Sequence, residues 1–204
     1  MEASGGWSAL ELIAGADPKE ALVKYMTDMT KSGKTATNSD ALDAITALLF
    51  AKGKGFDSEL VDGDWLMVMQ RQGSKSPSVQ QLVGQTERAG KTDNVFDTKS
   101  RSFYTSIRFL RDKAMVDSTV EYTPVEEGAS IVNEVKVPRR IMCDITDAGV
   151  KFFRLPRIRL RFLQRKGGYL DFLYLDEDIR VTRGNRGGLF FHGRPAFVDK
   201  MMAM

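Results

Sequence analysis

The spacing of apolar residues changes once along the chain, near residue 60. Before that point it is helical. In "DPKEALVKYMTD", Leu22, Val23, Met26 and Met29 recur at intervals that place them on one face of a helix. Asp17 can accept from the free N–H groups of the first turn, Pro18 suits the first helical position, and Glu20 completes a capping-box spacing. A second helix is predicted from near Ser39, with Leu42, Ile45, Leu48 and Leu49 on its apolar face, ending where Gly53 and Gly55 permit a left-handed cap. Both helices need a partner to cover those faces. The polar "KSGKTATNS" connects them, and its "GKT" lacks the upstream glycine of a phosphate-binding loop.

From Gly63 onward the pattern alternates. "DWLMVMQR", "SVQQLVGQ", "SFYTSIRFLRD", "AMVDSTVEYTPV", "SIVNEVKVP", "RIRLRFLQR", "YLDFLYLD", "IRVTRG" and "GGLFFHG" read as short strands between Gly, Pro, Asp and Asn turn signals. "ITDAGVKFFRLP" reads less cleanly, as a possible hairpin around Ala148 and Gly149. Many short antiparallel strands in succession predict a mainly β barrel or sandwich, and a meander that closes on itself leaves no exposed edge. Strand side chains alternate faces, so Phe103, Ile107 and Phe109 point together, as do Val116, Val120 and Tyr122, and Ile131, Val135 and Val137. "RIRLRFLQR" shows the clearest alternation: Ile158, Leu160 and Phe162 on one face, Arg157, Arg159 and Arg161 on the other. The apolar sets are expected to line the interior. Alternation does not distinguish a filled core from a cavity for an apolar ligand.

Composition adds exclusions. With 42% hydrophobic and 28% charged residues, the 204-residue chain has the make-up of a globular protein. No uninterrupted apolar run approaches the roughly 20 residues that span a bilayer, so any membrane contact is expected to be peripheral. One cysteine, Cys143, and one histidine, His192, allow neither an intrachain disulfide nor a Cys/His zinc site. No nucleophile or motif-spaced partner accompanies His192, and the chain reads as non-enzymatic. "MEASGGWSAL" has neither a secretory signal's apolar stretch nor a transit peptide's arginines, so the chain stays where it is made or a presequence lies outside it. Formal net charge is only +3, but Lys151 to Arg194 holds eleven Lys and Arg against four Asp and Glu. That excess favours phosphates of lipid headgroups or nucleic acid. Nucleic acid is disfavoured, because Phe162 faces away from the arginines of its own strand and stacking could not share a surface with phosphate contact.

"YLDEDIRVTRGNRGGLFF", residues 174–191, settles between two readings. A dinucleotide loop would open a helix after its glycines, whereas here the spacing of Gly184, Gly187 and Gly188 is wrong and a short apolar run follows. Gly184 and Asn185 between two strand-like runs predict a hairpin, both tolerating positive φ. Asp176, Glu177 and Asp178 alternate in direction and do not converge on a metal, while Asp176 favours a turn through its own backbone.

This stretch resembles the C-terminal signature of the plastid lipid-associated proteins, the fibrillins or plastoglobulins, with Tyr174, Leu175, Asp176, Arg180, Val181, Arg183 and Gly184 at matching positions. "LVDGDWLMVM" is similar to the family's G-x-W on the first barrel strand, with Gly63 and Trp65. The resemblance implies a lipocalin-like, antiparallel up-and-down barrel over 61–194, preceded by a helical segment over 1–60 and followed by a tail over 195–204. It implies a plastid protein, peripheral to thylakoids or plastoglobules, that binds or organises lipids, quinones or carotenoids. Arg180 or Arg183 would pack on Trp65, a cation–π contact of roughly 0.5–2 kcal/mol that closes the barrel with Gly63, Tyr174, Asp176 and Gly184 around it.

The expected ligand lining is Trp65, Met67, Met69, Phe103, Ile107, Phe109, Val116, Val120, Ile131, Val135, Ile158, Leu160 and Phe162. Arg157, Arg159, Arg161, Arg165 and Lys166 would meet headgroups. No cofactor is expected beyond a bound lipid, quinone or carotenoid. The alternative is a scaffold with a filled barrel, attached to a photosynthetic membrane complex through an exposed tail bearing Phe197, Val198, Met201 and Met202.

Overall fold

The computed structural model describes residues 17–32, 39–71, 92–110, 112–126, 130–132 and 135–203. Helix α1 (Pro18–Ser32) starts where its sequence signals place it: Asp17 Oδ1 accepts from Lys19 N at 2.8 Å and the Asp17 carbonyl accepts from Ala21 N at 3.0 Å. Helix α2 (Ser39–Lys52) follows, then a short α3 (Ser58–Val61) capped by Asp57, whose Oδ1 accepts from Glu59 N and Leu60 N. The strands are β1 (Gly63–Arg71), β2 (Thr92–Asp97), β3 (Ser102–Phe109), β4 (Ala114–Val125), β5 (Ser130–Val132), β6 (Val135–Val137), β7 (Arg140–Phe152), β8 (Ile158–Arg159), β9 (Gly168–Leu175), β10 (Ile179–Gly184) and β11 (Leu189–Gly193), followed by helix α4 (Pro195–Ala203).

Strand order in the main sheet is β4-β3-β2-β1-β11-β10-β9-β7, and β4 pairs with β7 along its whole length, from Ala114↔Phe152 to Val125↔Arg140. The sheet is therefore a closed, eight-stranded antiparallel barrel, the architecture expected from the alternating pattern. β8 prolongs the β7 edge beyond the reach of β9, through Gly149↔Arg159 and Val150↔Ile158.

Two apolar clusters hold the molecule together. Outside the barrel, Leu22, Met26, Leu42, Ile45 and Leu49 of α1 and α2 pack with Val198 and Met201 of α4 onto Val68, Leu173, Ile179, Val181, Leu189 and Phe191. Inside, Phe56, Trp65, Phe96, Phe103, Tyr122 and Phe172 fill one end, the phenyl and phenol rings in contact having centroids 4.6–6.3 Å apart. The C-terminus of α2 is pinned to the barrel by Arg139, which donates to the carbonyls of Phe50 (3.0 Å) and Gly53 (2.7 Å). Gly53 serves close approach rather than a left-handed cap: a Cβ there would collide with the Leu173 carbonyl, and the positive φ, +90°, belongs to Gly55. Leu48, expected on the apolar face of α2, is exposed.

Several strand readings change. "RIRLRFLQR" is not an interior strand: only Ile158–Arg159 pairs, and a 3-10 turn follows at Arg161–Leu163. Arg157 is the cause. Its guanidinium reaches over the outer face to Asp117 (Nε at 2.8 Å) and Asp147 (Nη2 at 2.7 Å), and lies where a side chain on Gly149 would be. β7 accordingly runs unbroken past Ala148 and Gly149 instead of turning there. "SIVNEVKVP" forms two short strands of a separate ribbon. "TDNVFD", with polar residues on its inward face, is a barrel strand that the hydrophobic pattern does not reveal. The strand expected at "SVQQLVGQ" and most of the "KSGKTATNS" connector lie outside the described residues.

Candidate functional site

Register fixes which side chains face inward. Trp65 lies opposite Asn94, Met67 opposite His192, His192 opposite Arg180, and Arg180 opposite Leu175. Trp65 is fully buried, with Nε1 donating to the Val61 carbonyl at 2.7 Å. Two arginines enclose its ring: Arg180, with its guanidinium carbon 5.0 Å from the ring centroid, and Arg194 at 4.0 Å. Arg194 also donates to the carbonyls of Leu60 (2.7 Å) and Asp64 (3.1 Å), tying α3 and β1 to the end of β11. Gly63, at φ +87°, bends the chain beneath it. Arg194 lies outside the signature and the sequence reading passed over it. Arg183, the other residue considered for Trp65, points outward to Asp171 (3.2 Å) and is half exposed.

The signature's other residues order the β9–β10 turn and moor it to α1. Tyr174 donates its hydroxyl to Asp176 Oδ2 at 2.7 Å, Asp176 Oδ1 accepts from Asp178 N and Ile179 N at 2.8 Å each, and Lys19 Nζ lies 2.8 Å from both Asp176 and Asp178. Burial pushes the Asp176 carboxyl up, but Lys19 and these donors outweigh it and hold the group below its ordinary value. The β10–β11 hairpin is present, yet its positive φ falls on Gly187 (+79°) and not on Gly184 or Asn185. Gly184 instead leaves room for the Phe190 ring, whose Cε2 would stand 3.2 Å from any Cβ.

The expected lining divides into four groups. Trp65, Phe103 and Val120 belong to the packed interior cluster. Met67, Ile107, Phe109 and Val116 share the inward parity and are half-buried. Met69 does not, because a bulge at Val68 carries it to the outer face against the helices. Ile131 and Val135 lie in the β5–β6 ribbon, apart from the barrel sheet. Leu160 sits half-buried outside, while Ile158 and Phe162 are 53% and 73% exposed. Cys143 is buried inside, its thiol pushed up to about 12 by loss of solvent, which makes it inert.

The exposed pair belongs to a lobe that begins at the end of the barrel away from the aromatic plug and runs back along the outer flank of β7, where Gln164 Nε2 donates to the Thr146 carbonyl and Ile145 N to the Arg165 carbonyl. Leu110, Phe153, Leu155, Ile158 and Phe162 are each more than half exposed along it. Leu110 and Phe153 hold φ of +53° and +49°, a left-handed conformation that costs large side chains roughly 1–2 kcal/mol. Residues 151–166 contain seven Lys and Arg and no acid. Two of the arginines expected to meet headgroups are neutralised, Arg157 by Asp117 and Asp147 and Arg159 by Asp147. No ion pair among the described residues engages Lys151, Arg154, Arg161, Arg165 or Lys166.

No described helix is long and apolar enough to cross a membrane. No curated protein and no solved structure matches the chain. The PAP_fibrillin family model matches residues 15–191, a span that takes in α1, α2, the barrel as far as Phe191 in β11, and the Tyr174–Gly184 signature. With the closed barrel, the G-x-W tryptophan and that signature in one molecule, the chain belongs to the PAP/fibrillin family of plastid lipid-associated proteins, whose members are generally non-enzymatic and structural or lipid-associated.

Proposed function

We propose that this protein docks peripherally on anionic lipid surfaces of the plastid, at thylakoids or plastoglobules, through the lobe at residues 110 and 151–166, and there binds or organises apolar lipids, quinones or carotenoids without catalysing a reaction. One observation carries this reading: five large apolar side chains stand in solvent along a segment with five cations that no acid among the described residues neutralises. Such a patch has no stabilising role in water. Against a bilayer, each buried apolar side chain gains about 25 cal/mol per Å² and each Lys or Arg near an anionic surface about 1 kcal/mol.

Co-sedimentation with phospholipid vesicles tests it. Binding should be strong to vesicles rich in anionic lipid and weak to zwitterionic ones. Leu155→Glu with Phe162→Glu should cut binding by more than tenfold while leaving the melting temperature unchanged, since both side chains are exposed. Undiminished binding of that variant would overturn the docking surface. The scaffold alternative is weakened, because Val198 and Met201 of the supposed exposed tail are buried under α1 and Phe197 packs beside them.

A further inference from the structure

Directly inside the aromatic plug lies a layer of buried polar groups. Arg180 is 2% exposed, and its Nη2 donates to Asn94 Oδ1 at 2.7 Å. Asn94 is itself held by its Nδ2 donating to Thr105 Oγ1 at 2.6 Å. The guanidinium rests on Trp65 and on Phe96, whose centroid is 4.8 Å away. Its Nε and Nη1 have no partner, and neither has Nδ1 of His192, directly across the β10–β11 ladder and 7% exposed. No carboxylate among the described residues pairs with Arg180; Asp93, Asp117, Asp147 and Asp171 all pair with arginines of the outer face.

An enclosed cation without a counter-charge, carrying two unused donors, is costly for the folded chain by itself. Toward the rim from this layer the inward face carries the half-buried Met67, Ile107, Val116, Leu170 and Phe190 beside the buried Thr92, Thr182, Ala114 and Val150. We propose that Arg180, aided by Asn94 and His192, is a subsite for the carboxylate of a long-chain apolar acid whose chain runs toward the rim along these residues. A carboxylate accepts without donating, matches the guanidinium fork, and supplies the missing charge. An alcohol or ester of equal length supplies no charge. Burial, and then the charge of Arg194, pull the Arg180 pKa down to about 9, which leaves it cationic at neutral pH. The subsite rests on reading the barrel as a lipid-associated one.

The test compares oleate with oleyl alcohol on the full chain at pH 7, by displacement of a polarity-sensitive fluorophore. Oleate should bind at least tenfold more tightly. Arg180→Gln should bring the two probes within about threefold by weakening oleate alone, whereas Arg183→Gln, on the outer face of the same strand, should retain the preference. Equal affinities in the parent, or a preference that survives Arg180→Gln, overturn the subsite and leave lipid binding standing. Should neither probe bind, both the subsite and the apolar ligand fall, while vesicle docking, measured separately, is untouched. If Arg180→Gln does not fold, carboxyl-¹³C oleate on the parent decides: its bound resonance should keep the ionised position at pH values where vesicle-bound oleate has protonated, and protonation in step with the vesicles would overturn the proposal.

Discussion

His192 is the chain's only histidine, and its place inside the barrel makes it a clean reporter of the interior. Burial, and then the charge of Arg180 facing it, lower its pKa well below the ordinary 6.5. The unfolded chain therefore takes up a proton near pH 6.5 that the folded chain refuses. Stability from this residue is complete above that pH and is lost as pH falls below it, at up to about 1.4 kcal/mol per pH unit. Urea denaturation at pH 7, 6 and 5 should show this slope in the parent and its loss in His192→Gln. Identical slopes would mean that the imidazole is charged or solvated in the fold. From the sequence, His192 read only as a strand-end residue beside Gly193, because nothing local reveals which cation will face it across a ladder.

At the scale of elements, the C-terminal segment changes most between sequence and structure. Read as a tail, it is helix α4, with Val198 and Met201 buried in the cluster that also holds α1. Burying side chains of this size stabilises by about 1.5–3 kcal/mol each. Truncation before Pro195 should thus lower the melting temperature by several degrees and expose apolar surface to a fluorescent probe, rather than simply release an intact protein from membranes. An unchanged melting temperature would show that α4 contributes nothing to the core. Helices α1 and α2 were legible from their 3.6-residue spacing and caps, and six barrel strands from their alternation. β2 was not, since Thr92, Asn94 and Phe96 put mainly polar side chains on its inner face. "RIRLRFLQR" misled for the converse reason: it alternates, but both of its faces meet solvent.

For the whole molecule, the closed barrel separates two ends with different chemistry. One end is sealed by the aromatic plug and by Arg194 over Trp65, and from the other the apolar and basic lobe starts and extends along the outer flank of β7. Docking is expected to be oriented, lobe toward the lipid and plug toward water. Spin labels at positions 155 and 162 should lose access to an aqueous relaxing agent when anionic vesicles are added, while a label at Ser100, exposed in the β2–β3 turn near the plug, should not. Equal protection at all three sites would contradict an oriented mode.

The sequence by itself determined the elements whose signals are local: helix caps, turn residues such as Asp176, and alternating faces. The tertiary structure alone decided which face of each strand closes on the interior, because a single bulge at Val68 reverses Met69 and the bonds of Arg157 to Asp117 and Asp147 draw an arginine-rich segment to the outside. It alone decided, too, that Arg180 has no acid beside it among the described residues. Charge neutralisation depends on distances across the barrel, from residue 180 to residues 94 and 192, and no spacing along the chain encodes those.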